Sequence, residues 1–313
     1  MVQENCLNGK KVVVVCGPTA SGKSALAIAL AKRLGGAVVS ADSIAIYKKL
    51  DIGTAKPDKD EMRGVKHYLI DHVDPEKEFT VAEYSSAARA IIDELIFSGV
   101  LPVICGGTGY YIDSVLYDLS YGNCPKSNEI RQKYADLLQS NGAGYLHDRL
   151  KEVDRETSLV LHENDTVRVI RALEIFELTG RKKSETTDEK TARYDFKAYS
   201  FDYDRKELYD RINARVDDMF RRGLKQEVVS LLESGLDKNC QSMQAIGYKE
   251  IVEGIDAGLS DEEIKELVKR NTRRYAKRQI TYFKRYDNMT FLDPKNYSLD
   301  DIVSDLKQWM SLK

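Results

Sequence analysis

Short apolar runs separated by longer amphipathic ones set the frame of this chain. Residues 11–16 (KVVVVC), 37–41 (AVVSA) and 101–105 (LPVIC) are strand-length and almost continuously apolar, the pattern of strands buried on both faces. Helical spacing fills the intervals. Residues 24–34 end at Gly35-Gly36, and residues 81–97 follow a capping Thr80 and precede Gly99. Strands alternating with helices predict an α/β fold with one parallel sheet. Residues 67–73 (HYLIDHV) and 197–202 (KAYSFD) alternate into further strands, the second returning to the main sheet. A last strand over 289–292 and a terminal helix over 299–310 complete the pattern.

The middle of the chain differs. Tyr121-Gly122-Asn123-Cys124-Pro125 reads as a break. Residues 126–190 are charged and helical in period, interrupted at Asn141-Gly142-Ala143-Gly144. Residues 165–179 form an amphipathic helix stopped by Gly180, with Val167, Ile170, Leu173 and Ile175 facing a core and Arg168 and Arg171 facing elsewhere. Residues 181–191 are polar. The expected organisation is a core of 1–120 and 196–313 with a helical insertion at 121–195. Beyond it, residues 205–234 are helical, and Ser260-x-x-Glu263 is a capping box that opens a long helix.

Composition narrows the class more than the function. With 313 residues and 42 % hydrophobic content, the chain can bury one large or two modest cores. The formal net charge of −2 gives no global signal for nucleic acid, so any such surface must be local. Cys6, Cys16, Cys105, Cys124 and Cys240 form no C-x-x-C pair, which fits a reducing compartment. No apolar run reaches membrane-spanning length, and residues 1–10 lack a signal-peptide core. The expectation is a cytoplasmic protein.

One stretch carries specific chemistry. Gly17-Pro18-Thr19-Ala20-Ser21-Gly22-Lys23-Ser24 joins the first strand to the first helix in the pattern G-x-x-x-x-G-K-[ST]. Its backbone N–H groups can converge on an anion, helped by the positive end of the helix. Lys23 adds a point charge, and Ser24 offers a hydroxyl to Mg²⁺. The pattern does not choose between a nucleoside triphosphate and another diphosphate. Asp42 ends the second strand and so reaches the same crevice, unless it merely makes a turn. Gly106-Gly107-Thr108-Gly109 is either a tight turn or a second wall with Thr108 reaching in. Asp71 is either a Walker-B-type Mg²⁺ aspartate or structural. Arg211 and Arg215 share a helix face, either solvated or turned to the phosphate.

Residues 269–286 hold eight Lys or Arg and no acid, with Tyr275, Tyr282, Phe283 and Tyr286 among them. This is either a solvated face over buried aromatics or a surface for a polyanion. On residue chemistry alone a P-loop small-molecule kinase leads. A base-modifying transferase and a non-catalytic RNA-binding protein remain open.

Taken in order, GPTASGKS, Asp42-Ser43 with DIGTAKP, HYLID, GGTGYY, NDTVRVIRALEI, QAIGYKE and RYAKRQITYFK closely resemble the tRNA dimethylallyltransferase (tRNA isopentenyltransferase) family, over about residues 11–283. GPTASGKS is shared with many kinases; DIGTAKP and QAIGYKE are far more specific. The resemblance implies a P-loop NTPase-like sheet with a helical, tRNA-contacting insertion. It implies Mg²⁺-dependent transfer of a dimethylallyl group from dimethylallyl diphosphate to adenosine N6. The acceptor would be the adenosine 3′-adjacent to the anticodon in tRNAs reading codons that begin with U.

By the same resemblance, Gly17, Pro18, Thr19, Ala20, Ser21, Gly22, Lys23 and Ser24 hold the diphosphate, Ser24 touches the metal, and Asp42 is the general base. Lys23, Thr108 and Arg215 complete the catalytic set. Contacts to tRNA fall to Asp42, Ser43, Ile44, Ala45, Thr108 and Arg131, to Thr166, Val167, Arg168, Val169 and Ile170, and to Gln244, Ala245, Ile246, Gly247, Tyr248 and Lys249. Partners are the tRNA anticodon stem-loop and dimethylallyl diphosphate, with no membrane and a monomeric state. Two positions depart from the family: Ile44-Ala45 where many members carry Gln after the Asp-Ser pair, and Tyr282 where Trp is frequent.

Overall fold

Val12 and Val14 pack into one hydrophobic core and Val13 and Val15 into another, because successive strand side chains point to opposite faces. All four are buried, so the strand they occupy, β1 (Lys11–Cys16), is central to its sheet. The structure, a computed structural model, describes residues 9–119, 124–186 and 191–311. Cys6, positions 121–123 of the expected break and part of the polar run 181–191 lie outside them.

The chain divides into two compact units, Met1–Tyr117 with Ala192–Lys313, and Asp118–Thr191. The larger unit holds a six-stranded sheet among the described residues, ordered β3-β2-β4-β1-β5-β6. Its other strands are β2 (Gly36–Ser40), β3 (His67–Tyr68), β4 (Leu101–Gly106), β5 (Asp195–Phe201) and β6 (Met289–Leu292). Every pairing is parallel. Helices α1 (Lys23–Leu34) and α11 (Leu299–Ser311) cover one face through Leu26, Leu30, Leu306 and Trp309. The other face buries α2 (Val81–Phe97) and α3 (Gly109–Leu116) through Tyr84, Ile92 and Ile112. Thr80 and Glu83 form the capping box that starts α2. The remaining helices of this unit are α7 (Arg205–Arg221), α8 (Leu224–Glu233), α9 (Tyr248–Asp256) and α10 (Asp261–Phe283), the last opened by the Ser260–Glu263 box. Among the described residues no helix is long and apolar enough to cross a membrane.

Two local readings need correction, and a third, left open, gains detail. The strand expected over 67–73 stops at Tyr68, because Leu69 and Asp71 take positive φ (60° and 52°) and turn the chain. The single helical stretch expected over 205–234 is broken between α7 and α8 by Gly223, at φ 97°. Gly106–Gly109 is not only a turn: Thr108 stands at the N-cap of α3, which Gly109 begins.

Among its described residues the smaller unit holds the α-helices α4 (Asn128–Val153), α5 (Arg155–Val160) and α6 (Thr166–Thr179), with Gly142 (φ 83°, ψ 172°) kinking α4 where the glycine-rich break was expected. Its core is Tyr134, Leu146, Leu150, Val169, Ala172 and Leu173. Val167, expected in that core, is 79 % exposed. Arg171, expected to face away, instead ion-pairs with the fully buried Glu174. Arg131 grips the same carboxylate with two N–H donors at 2.9 and 3.0 Å, and the Ser127 N–H donates at 2.7 Å.

Burial alone would raise the Glu174 pKa, but these hydrogen bonds outweigh it and hold it below the ordinary glutamate value. Glu174→Ala is therefore expected to destabilise this unit by about 3 kcal/mol, since it removes the buried carboxylate that Arg131, Arg171 and the Ser127 N–H share. The depressed folded value sets the pH dependence. Glu174's contribution is complete above the unfolded carboxyl's pKa and is lost as pH falls through the folded one. Denaturant titration of wild type and variant at neutral and acidic pH measures both effects.

Candidate active site

The C-terminal ends of β1, β2 and β4 meet on one edge of the sheet, where ligands of open α/β sheets bind. The glycine loop leaves β1, Asp42 follows β2, and Gly107-Thr108 follows β4. One cavity of about 380 Å³ opens there, lined by Thr19, Lys23, Ser24, Asp42, Arg215 and Tyr275 among others.

The glycine loop is held in an anion-receptive shape. Ala20 takes φ 61° and Gly22 φ 87°, and Ala20 is a non-glycine residue in a left-handed conformation, which is costly outside functional loops. Lys23 opens α1 and donates to the Pro18 carbonyl at 3.2 Å. Burial is the chief cause that lowers its pKa; nearby Arg215 adds to this, and Cys105 and Asp42 oppose it. Arg215 is lowered too, again mainly by burial, and its Nε is buried with no hydrogen-bond partner among the described residues. Two neighbouring cations make this part of the cavity electropositive.

Gln279 ties this loop to the rest. Its Oε1 accepts from the Thr19 N–H at 3.0 Å and its Nε2 donates to the Gly107 carbonyl at 2.8 Å. A Cβ on Gly107 would meet that Nε2 at 2.2 Å, so only glycine admits the bridge. Gln279 lies within a quoted motif, but the reading of that helix by charge passed over it.

Asp42 is both a turn residue and free to do chemistry. Its Oδ1 accepts from the N–H groups of Ile44 (2.9 Å) and Ala45 (3.1 Å), while Oδ2 has no hydrogen bond among the described residues. Thr108 holds the next residue: its Oγ1 accepts from the Ser43 N–H at 3.1 Å and donates to Ser43 Oγ at 3.2 Å. Thr108 thus meets the Asp42 loop directly. Asp71 does not join the site. It pairs with Lys56 at 2.6 Å and does not line the cavity, so the Mg²⁺ reading of Asp71 fails.

The basic run of α10 forms the flank. Lys269 is compensated by Asp217 and Glu266, acids outside the run, and Arg273 donates to Asn213. Arg270, Arg274, Lys277, Arg278 and Lys284 are exposed and have no acidic partner among the described residues. Their spacing puts them along one helix face, and Arg278 also lines the cavity. The aromatics sit beneath: Phe283 is buried, and the Tyr282 and Tyr286 hydroxyls donate to Asp113.

The other expected site residues divide. Ser43, Ile44 and Ala45, and Gln244, Ala245, Ile246 and Gly247, line the cavity. Tyr248 is fully buried, and Lys249 is exposed and ion-paired to Glu253. In the smaller unit, Arg131 is committed to Glu174 and Val169 is fully buried, whereas Val167 and Arg168 are exposed. Glu227, which no motif marked, holds part of the cavity wall.

A sequence model of the IPP transferase family matches residues 45–286. The chain is 44 % identical over 304 residues to a tRNA dimethylallyltransferase of Acetivibrio thermocellus, covering 96 % of this chain and 97 % of that protein. It is 49 % identical over 282 residues to one of Caldanaerobacter subterraneus, covering 88 % and 90 %. Among solved structures, it resembles the full-length tRNA isopentenylpyrophosphate transferase of Bacillus halodurans with a TM-score of 0.71 at 39 % identity, covering 96 % of each chain. A eukaryotic dimethylallyltransferase acting on tRNA is similar at a TM-score of 0.74 and 30 % identity, covering 96 % of this chain and 76 % of that one.

Proposed function

This chain belongs to the IPP transferase family, as a tRNA dimethylallyltransferase, and from that premise we propose how its residues carry the reaction. It transfers the dimethylallyl group of dimethylallyl diphosphate to N6 of the adenosine 3′-adjacent to the anticodon, in tRNAs that read codons beginning with U. The observation that carries this reading is one cavity holding Lys23, Ser24, Arg215 and the Asp42 carboxylate, beside a stripe of uncompensated cations.

The bond between the allylic carbon and its diphosphate oxygen breaks as the N6–carbon bond forms. Charge accumulates on the departing diphosphate. The loop N–H groups, Lys23 and Arg215 are preorganised against that charge, which is where fixed donors contribute most. The amine is a weak nucleophile until its proton leaves, and Asp42 Oδ2 accepts that proton while Oδ1 keeps the loop in shape. Thr108 fixes the backbone beside Asp42. The base must leave its stack to enter the cavity, and the α10 cations hold the RNA backbone. The same reading gives tRNA contacts to exposed Val167 and Arg168 in the smaller unit; the side chain of Val169, being buried, has none to offer.

Mg²⁺ fits this donor set. Ser24 is exposed and lines the cavity, and no group of three or more His, Cys, Asp or Glu among the described residues forms a metal cage. A hard cation bound by one hydroxyl, substrate oxygens and water is ordinary for Mg²⁺. When bound, it would neutralise charge on the diphosphate.

The rival is a small-molecule kinase on the same loop. Supplying tRNA and Mg²⁺ with either dimethylallyl diphosphate or ATP separates the two. Pyrophosphate release that requires tRNA and the isoprenoid is expected. Phosphoryl transfer from ATP, with the isoprenoid untouched, would favour the kinase.

A further inference from the structure

The geometry points to Glu227 as the positioning residue for the acceptor side of the cavity, an inference that rests on the transferase reading above. Glu227 sits on α8, outside every recognised motif. Its Oε2 accepts from the N–H groups of Asp51 (3.0 Å) and Ile52 (2.8 Å), and its Oε1 from the Gly53 N–H (3.3 Å) and the Tyr248 hydroxyl (2.5 Å). Three successive backbone N–H groups converging on one anion form a nest. Here the anion is the protein's own carboxylate, so the nest fixes a loop instead of binding a ligand.

What that carboxylate fixes is a wall. Residues 53–57 and 244–247 both line the cavity, and Glu227 holds the first directly and the second through Tyr248. The two loops also touch each other. A Cβ on Gly53 would fall 2.4 Å from the Tyr248 ring and 2.9 Å from Leu224 of α8. Tyr248 is fully buried. Burial, together with the charge of Glu227, raises its pKa, which keeps the hydroxyl a donor.

This wall does not suit a diphosphate. Its one cation, Lys56, has a side chain only 6 % exposed and is spent on Asp51, Asp71 and the Tyr47 carbonyl. The rest is uncharged: glycine, alanine, proline and isoleucine, with Thr54 and Gln244 as its neutral polar side chains. Gln244, at the start of the second loop, and Lys249, just past it in α9, are exposed, so the wall runs out onto the surface. A macromolecular acceptor needs such an apron, and a small donor does not. The glycine loop, held by Gln279, serves the donor; the Glu227-held loops serve the base.

Three variants test this: Glu227→Ala, Glu227→Gln, and Gly53→Ala, which displaces the loop and leaves the carboxylate in place. Steady-state transfer would be measured against tRNA and against dimethylallyl diphosphate, with pyrophosphate binding by calorimetry. For Glu227→Ala, kcat/KM toward tRNA is expected to fall about tenfold or more, as misplacement of a reactant generally costs. Pyrophosphate affinity should stay within about twofold of wild type, an ordinary limit for distant, independent sites. Glu227→Gln, which keeps the shape and one acceptor oxygen, should recover part of the loss, and Gly53→Ala should reproduce it. Parallel loss of pyrophosphate binding in Glu227→Gln and Gly53→Ala would overturn the assignment, because the residue would then support the whole fold. So would wild-type kinetics in all three. Should Glu227→Ala not fold, the other two decide. A wild-type protein that leaves tRNA unmodified contradicts the transferase reading itself, a separate outcome.

Discussion

Asp42→Asn is expected to slow prenyl transfer to tRNA by about a hundred- to ten-thousandfold, the range for losing a general base. Asparagine is the discriminating choice because its carbonyl oxygen can still accept from the Ile44 and Ala45 N–H groups, as Oδ1 does. The turn survives, and only the free oxygen changes from an acceptor of protons to an amide. Single-turnover rates with saturating tRNA measure the chemical step, and gel shift measures tRNA binding, which should persist. A rate within about threefold of wild type would mean that N6 loses its proton elsewhere, since general-base catalysis contributes far more than that.

Lys23→Met is expected to cost about a hundred- to a thousandfold in kcat, comparable to removing one preorganised donor from a developing anion. Pyrophosphate affinity should fall as well, because the anion loses a partly buried countercharge. The lysine also imposes a pH dependence. Its pKa is lowered, chiefly by burial, and an arriving diphosphate favours the charged form and raises it again. Binding therefore takes up a proton at pH values between the lowered and the restored pKa. Across that window affinity falls as pH rises, and Lys23→Met should abolish this slope. Calorimetry in buffers of different ionisation enthalpy measures the proton uptake directly.

The parts of this molecule that read easily were those whose cause is local. A valine run without alternation has few homes other than a doubly covered strand, and a glycine loop between strand and helix carries its chemistry in its spacing. Local pattern misled where a turn interrupted it. HYLIDHV alternates like a strand, yet Leu69 and Asp71 turn left-handed there. Val167 has helical spacing to Ile170 but lies about 200° around the helix from the buried Val169. The supports of the site were least legible of all. Gln279 meets Thr19 across 260 residues and Glu227 meets Asp51 across 176. Neither pairing leaves a periodic trace, and each became visible only once the sheet had brought its partners together.

What matters most is whether this cavity alkylates one RNA base as a diphosphate leaves. Nucleoside and fragment mass spectrometry of tRNA treated with the protein, dimethylallyl diphosphate and Mg²⁺ tests it most directly. N6-dimethylallyladenosine confined to the position 3′ of the anticodon is expected, formed by wild type and formed far more slowly by Asp42→Asn. Unmodified tRNA, or the same product at an undiminished rate from Asp42→Asn, would contradict it.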